Sequence, residues 1–284
     1  MSDISADAVQ AARTLGTAKN ADVFLFSHSI DRGNASMFTA CVNSIQPKKE
    51  NAIFIIATNG GDPDGAYIMT RCLQRNYKKL TILIFGRCKS AGTLVVVGAN
   101  EIVMSDGGEL GPLDIQVTKD DELFVRSSGL DINEAIVFLK NLASELFLRQ
   151  LLNLKSGTSI TTRTAAEIAQ GLAIGVINPI ASQIDPLKLG EMQRAMRIVR
   201  DYGTRLSPTG CDLERLITKF PSHSFVIDRE EAGSIFKNVR KPDADELALA
   251  QLLGDVAVIQ DDKIEFLTPP FPPAAPGSPS AQNP

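Results

Sequence analysis

An α/β fold, in which stacked βα units build a parallel sheet and a helical region is added behind them, is predicted by three features of this chain. Apolar runs without alternation recur at 22–27, 52–57 and 80–85, the pattern of strands buried on both faces of a parallel sheet. Segments of helical period separate them, so the order reads strand, helix, strand. From 131 onward the chain is mostly of helical period, which supplies the added region.

Taken in order, residues 3–18 form a weakly amphipathic helix through Ile4, Ala8, Val9, Ala12 and Leu15, expected as an N-terminal arm packed on a neighbour. The strand at 22–27 follows. After the turn Asp31-Arg32-Gly33-Asn34, Met37, Cys41 and Ile45 recur at helical spacing until Pro47. The strand at 52–57 runs into Thr58-Asn59-Gly60-Gly61-Asp62-Pro63 and a helix carrying Ile68, Met69, Cys72 and Leu73. A third strand, 80–85, meets Gly86-Arg87-Cys88-Lys89-Ser90-Ala91-Gly92-Thr93, and 94–99 continues as an apolar helix. A strand at 101–104 and a glycine-containing loop ending in Asp114 complete the unit. Residues 121–126 read as a further strand.

Long helices are expected over 131–154 and 185–206, with another starting near Thr164, where Thr164 and Glu167 have capping-box form. The run 171–181 is apolar but broken by Asn178 and Pro179, and reads as core or a subunit interface. A short helix spans 211–220. His223 then leads into a brief strand and a helix capped at Asp228. Helix 243–253 precedes a pair of strand-like runs, and the proline-rich residues beyond 267 bury too little to order themselves.

The composition excludes several classes. A net charge of −4 with 22% charged residues leaves no basic footprint for nucleic acid. No run reaches the ~20 apolar residues that a membrane span requires. The first residues are acidic and polar rather than basic and apolar, so a cytoplasmic location is expected. The four cysteines lack C-x-x-C spacing, which argues against a metal site and a disulfide framework, and no cofactor is expected.

The chemistry points to Ser90. A serine on a strand-to-helix turn stands at the carboxyl end of the sheet, where the first free N–H groups of a helix face whatever binds. The plain alternative is that Ser90 caps the helix that follows. Consecutive glycines at 60 and 61 free a second backbone segment to aim N–H groups at the same edge. A serine nucleophile also needs a base. Only two histidines exist, His28 and His223. His28 ends the first strand and reads as structural. His223 precedes a capped helix; general base and hydrogen-bonded loop residue both stay open for it. Lys89 adjoins Ser90 but points apart from it, toward a carboxylate or solvent. Lys140 lies well inside a helix as a solvated residue.

Together, Gly60-Gly61, Lys89-Ser90-Ala91-Gly92-Thr93 and Leu110-Gly111-Pro112-Leu113-Asp114 resemble the Clp protease, signal peptide peptidase A and crotonase superfamily. Ser182-Gln183-Ile184-Asp185-Pro186-Leu187 and the stretch from Ser222 to Ala232 are similar to the serine dehydrogenase proteinase family within it. The resemblance spans roughly 20–240 and implies a Clp/crotonase-like fold and a serine peptidase. It implies Ser90 as nucleophile, with Gly61 and Ala91 as backbone oxyanion donors. It also implies a polypeptide substrate and a homo-oligomer. The chain departs from Clp-type proteases, whose triad histidine sits in the loop that here holds Asp114, and from signal peptide peptidases, whose lysine position here reads Gly129-Leu130-Asp131. His223 is then the leading base, with Lys89, Asp114 and Lys140 as supporting candidates. The expected organisation is an arm at 1–20, a peptidase domain at 21–240 with a helical insertion at about 131–220, a helix and strand at 241–266, and a disordered tail at 267–284. A catalytically silent scaffold, or an acyl-thioester enzyme using the same amides, is the competing expectation.

Overall fold

The computed structural model describes residues 4–113, 116–118 and 126–269. In chain order these form α1 (Ala6–Ala18), β1 (Ala21–Ser27), α2 (Arg32–Ser44), β2 (Asn51–Ala57), α3 (Pro63–Asn76), β3 (Lys79–Ile84), β4 (Arg87–Cys88), α4 (Ala91–Val97), β5 (Glu101–Met104), β6 (Glu109–Leu110), β7 (Gln116–Thr118) and β8 (Arg126–Ser128). There follow α5 (Gly129–Gly157), α6 (Thr162–Ala181), α7 (Pro186–Leu206), α8 (Leu213–Thr218), α9 (Arg229–Ile235), β9 (Val239–Arg240), α10 (Ala244–Leu253) and β10 (Lys263–Phe266). The fold is α/β with a mainly parallel sheet, as expected. Two compact units divide it: Met1–Gly111 with Arg205–Cys211 and Val226–Pro284, and Pro112–Thr204 with Asp212–Phe225.

The first unit is built on a six-stranded sheet of order β10-β1-β2-β3-β5-β9. All neighbours pair in parallel except β10, which runs antiparallel to β1 at the edge. Both faces are covered, which is why the strands show no alternation. Val23, Leu25, Ile53, Ile55, Leu83 and Val103 pack with Ala8, Ala12 and Leu15 of α1 and with Leu249 and Leu253 of α10. Helix α1 therefore completes the core of its own unit. Toward α2, Phe24 and Phe26 meet Phe38 at 5.7 and 6.0 Å between centroids, and Phe54 meets it at 4.9 Å. Burying each such ring contributes about 1.5–3 kcal/mol.

Parallel strands place their carboxyl ends at one edge. There Asp31 caps α2, and Asp62 caps α3 with Pro63 in its first turn. Beyond Leu253 the expected pair of strands is not found. The first run is a single 3-10 turn, Gly254–Ala257, entered at Gly254 with φ 60°, and only β10 is a strand. Val256 and Ala257 join the core from the turn, so burial there does not require extended backbone.

In the second unit α5 and α6 form the long helices. Thr161 rather than Thr164 caps α6, its hydroxyl accepting the Thr164 amide at 3.2 Å. Helix α6 runs through Pro179, and within its own unit it buries Ala165, Ala169 and Ala173 while leaving Leu172, Ile174, Val176 and Ile180 exposed. Among the described residues no helix is long and apolar enough to cross a membrane. The proline-rich stretch beyond 269, and residues 121–125 of the strand expected at 121–126, lie outside the described residues.

Candidate active site

Ser90 stands between β4 and α4 with φ 51° and ψ −116°. Asn20 and Asp262 are the other non-glycine residues with positive φ among the described residues, and both are types that tolerate left-handed backbone. A serine in this conformation costs about 1–3 kcal/mol, which the surrounding structure must hold in place. The capping explanation fails, because the Ser90 side chain makes no hydrogen bond to the helix it precedes. Among the described residues its hydroxyl has no partner, and it is partly exposed. This is the geometry of a nucleophile elbow, a strained strand-to-helix turn that lifts one hydroxyl clear of the sheet.

Three segments build the elbow. β4 is fastened to the end of β2 by Thr58 N–H to Arg87 O (2.8 Å) and Lys89 N–H to Thr58 O (3.0 Å). On its other side β4 pairs in parallel with β6, and Leu110 of β6 exchanges hydrogen bonds with Ile227 at 2.9 and 3.0 Å. Thr93, fully buried in the first turn of α4, locks these pieces together. Its hydroxyl lies 2.7 Å from Gly111 O and 3.2 Å from Cys88 O, and it accepts the Gly111 amide at 3.2 Å. Gly92 is required by closeness: a Cβ there would stand 2.6 Å from Thr58 Cγ2 and 2.9 Å from Cys88 Sγ.

The glycine loop presses against this elbow. A Cβ on Gly60 would stand 2.7 Å from Ser90 Cβ and 2.8 Å from Lys89 O, with φ of 103° besides. The amides of the loop are almost all committed. Thr58 N–H goes to Arg87 O, Asn59 N–H to the Gln260 side chain at 3.1 Å, Gly60 N–H to the Thr58 hydroxyl at 3.0 Å, and Asp62 N–H to Ile30 O at 2.7 Å. Among the described residues the Gly61 amide donates to nothing, and neither does that of Ala91, the first residue of α4. The Ala91 amide opens α4 directly after Ser90, and the Gly61 amide belongs to the loop whose Gly60 abuts Ser90; α4 directs the positive end of its peptide dipoles toward the Ser90 turn.

Lys89 does not approach as a free amine. Its ammonium lies 3.0 Å from a Glu109 carboxylate oxygen and donates to Leu110 O at 3.2 Å. Arg87, two residues earlier on the same strand face, lies 3.6 Å from the other Glu109 oxygen. Lys89 therefore faces a carboxylate, as its offset from Ser90 requires. His28 is likewise committed: its Nδ1 lies 2.9 Å from Asn34 Nδ2 and 3.2 Å from the Ser29 hydroxyl, and its Nε2 lies 3.6 Å from Asp262. Cys88 sits beneath the elbow, where complete burial pushes its thiol pKa up and keeps it protonated.

Ser90, Gly61, Ala91 and Lys89 thus come together in the first unit. His223 and Lys140 belong to the second unit: His223 occupies the turn before Phe225, partly buried, and Lys140 is exposed on α5. Asp114 lies outside the described residues. Thr93, Glu109 and Gln260 were not expected at the site. Thr93 is readable as the hydroxyl that closes the KSAGT run, whereas Glu109 sits on a two-residue strand with no periodicity to reveal it. Gln260 lies 201 residues from its partner, beyond any local signal.

No protein-family model and no curated protein matches this chain. Among solved structures it is similar to a serine-to-alanine mutant of the 1510-N membrane-bound stomatin-specific protease, with 16% identity over 80% of this chain and 81% of that one and a TM-score of 0.40. A lysine-to-alanine mutant of the same protease in complex with a substrate peptide gives 16% identity, coverage of 87% and 86%, and a TM-score of 0.40. Likeness of this degree transfers no activity, so the chemistry of the chain must be argued from its own residues.

Proposed function

We propose that the chain is a serine-type peptidase of Clp/crotonase-like fold, hydrolysing polypeptides through an acyl-enzyme on Ser90. The observation that carries this reading is the Ser90 backbone, held at φ 51° and ψ −116° with its hydroxyl uncapped. Strain of this kind persists where the position of one side chain matters. Attack of Ser90 Oγ on a peptide carbonyl forms a C–O bond and passes the hydroxyl proton to a base. The carbonyl oxygen gains the charge, which the Gly61 and Ala91 amides receive. Collapse breaks the C–N bond, the amine leaves with the proton, and water releases the acyl group from Ser90.

We assign the base to His223. His223 precedes the helix capped at Asp228, and Lys89, the lysine beside Ser90, is ion-paired with Glu109. Imidazole is the side chain most often used for general-base proton transfer at neutral pH. Asp114 and Lys140 are assigned supporting roles at most. A homo-oligomer is part of the proposal, with the apolar face left open on α6 as its contact, and so is a cytoplasmic location.

The test is labelling by a serine-reactive fluorophosphonate together with hydrolysis of an unfolded protein such as casein. Ser90→Ala is expected to abolish labelling and to lower hydrolysis roughly 10³-fold or more. Unchanged labelling or hydrolysis in Ser90→Ala would remove the nucleophile. Wild-type protein that never labels would favour the silent scaffold or the acyl-thioester enzyme. For the base, His223→Ala is expected to change the pH–rate profile as well as to lower the rate; a variant that keeps the wild-type profile takes His223 out of the mechanism.

A further inference from the structure

Beyond Ser27 the chain continues from β1 and meets the glycine loop edge to edge. Ile30 lies opposite Gly61 in a parallel bridge, in which Ile30 N–H donates to Gly60 O at 2.9 Å and Asp62 N–H donates to Ile30 O at 2.7 Å. Ile30 is fixed from its own side as well. Its side chain is 1% exposed, Ser29 O at the other end of its peptide accepts Asn34 Nδ2 at 3.0 Å, and Asp31 beside it caps α2. Across β2 from β1, Thr58 pairs with Cys88 of β4, and a Cβ on Gly60 would stand 2.7 Å from Ser90 Cβ and 3.2 Å from the Ala91 nitrogen. The glycine loop therefore runs between Ile30 and the Ser90 turn.

We propose that Ile30 is a positioning residue of the Ser90 site, its main-chain N–H holding the Gly60–Gly61 peptide so that the Gly61 amide, and not the Gly60 carbonyl, faces the serine. The proposal rests on the reading of Ser90 as nucleophile and Gly61 as oxyanion donor. A peptide group is planar and trans, so its C=O and N–H point in opposite directions. With Gly60 O held by Ile30, Gly61 N–H points away from Ile30, toward the side on which β4 and Ser90 lie. A glycine on either side, at φ of 103° and 139°, leaves this peptide free to turn over, because no Cβ obstructs ψ of Gly60 or φ of Gly61. Turned over, it would set a carbonyl dipole against the developing oxyanion, and attraction would become repulsion. The Ile30 bond opposes that turn, since it would be lost and two N–H groups would face each other. The Asp62 bond belongs to the following peptide, which rotation about ψ of Gly60 and φ of Gly61 leaves in place.

The experiment uses the full chain and a fluorophosphonate probe, whose tetrahedral phosphonyl adduct places an oxygen where the oxyanion would form. Replacing Ile30 by its α-hydroxy acid turns the Ile30 N–H into an ester oxygen and keeps the side chain. The same replacement at Asp62 removes the other hydrogen bond of the bridge. Each ester loses one hydrogen bond, so both are expected to melt a few degrees below the wild type. The Ile30 ester alone is expected to lose labelling rate, about 10- to 100-fold at saturating probe with the half-saturating concentration unchanged. If both esters label at the wild-type rate while Ser90→Ala does not label, the positioning role is wrong and the nucleophile stands. Equal slowing in the two esters would reduce Ile30 to a structural tie and overturn the proposal, as would an Ile30 ester that does not fold. If Ser90→Ala labels like the wild type, the underlying reading fails and this inference goes with it.

Discussion

At Ser90 a single pair of dihedral angles separates two roles that are indistinguishable in sequence. A capping serine and an elbow serine both stand between a strand and a helix; the cap keeps ordinary β-region backbone and spends its hydroxyl on the helix. Here the backbone is left-handed and the hydroxyl unspent. It follows that Ser90→Gly should be more stable than Ser90→Ala, because glycine takes φ 51° without the Cβ penalty. The expected gain is about 1 kcal/mol, read as a melting temperature a few degrees higher for Ser90→Gly than for Ser90→Ala. Ser90 and the Gly60-Gly61 pair stand out in the sequence because residue type and order mark them. The engagement of Lys89 was legible only as a choice between carboxylate and solvent, since its partner, Glu109, is brought alongside by tertiary pairing of β6 with β4.

At the scale of elements, the elbow is a joint made by very short pieces. β4 and β6 are two residues each, too short to hold a register by themselves, and Thr93 substitutes for the missing ladder. Thr93→Val keeps the shape and removes the hydroxyl, which leaves the Gly111 amide buried without its acceptor. The expected cost is about 1–3 kcal/mol in denaturant unfolding, accompanied by slower fluorophosphonate labelling as Gly111 moves off Lys89 and Ser90. Labelling at the wild-type rate would show that the joint holds without this bond. The long strands and helices were readable because burial on two faces, or on one stripe, imprints a period on a sequence. Two-residue strands imprint none, and the turn at Gly254–Ala257 misleads because Val256 and Ala257 are apolar for packing rather than for extension.

Across the first unit as a whole, the Ser90 turn and a network of charged side chains occupy opposite edges of the sheet. At the edge where the parallel strands begin, Glu101 lies 2.7 Å from Lys79 and 2.8 Å from Arg240, and Arg240 reaches on at 2.7 Å to Glu246, which is 1% exposed. A cavity of about 530 Å³ opens over this network. Burial alone would raise the Glu101 pKa, but the hydrogen bonds from Lys79 and Arg240 outweigh it and hold it at about 2, below its ordinary 4.5. A carboxyl depressed in the folded state contributes stability that is complete above 4.5 and is lost as the pH falls from 4.5 toward about 2. Allowing for its partial exposure, that contribution is about 2 kcal/mol. Glu101→Gln should therefore flatten the acid limb of the unfolding free energy between those pH values, as urea titrations at successive pH values would show. An unchanged limb would assign acid sensitivity to other carboxylates. Nothing local in the sequence announces this network, whose members come from β3, β5, β9 and α10.

Residues 258–262 square the carboxyl edge of the sheet from far along the chain. Val258 O accepts the Arg87 amide, the Gln260 side chain the Asn59 amide, and Ile259 O the Ser27 hydroxyl. Each tie closes a loop of great length, and the entropy of such closure has to be met before the contact contributes anything. The corner around Ser90 is therefore expected to set late in folding, after the local helices and the neighbouring strands have formed.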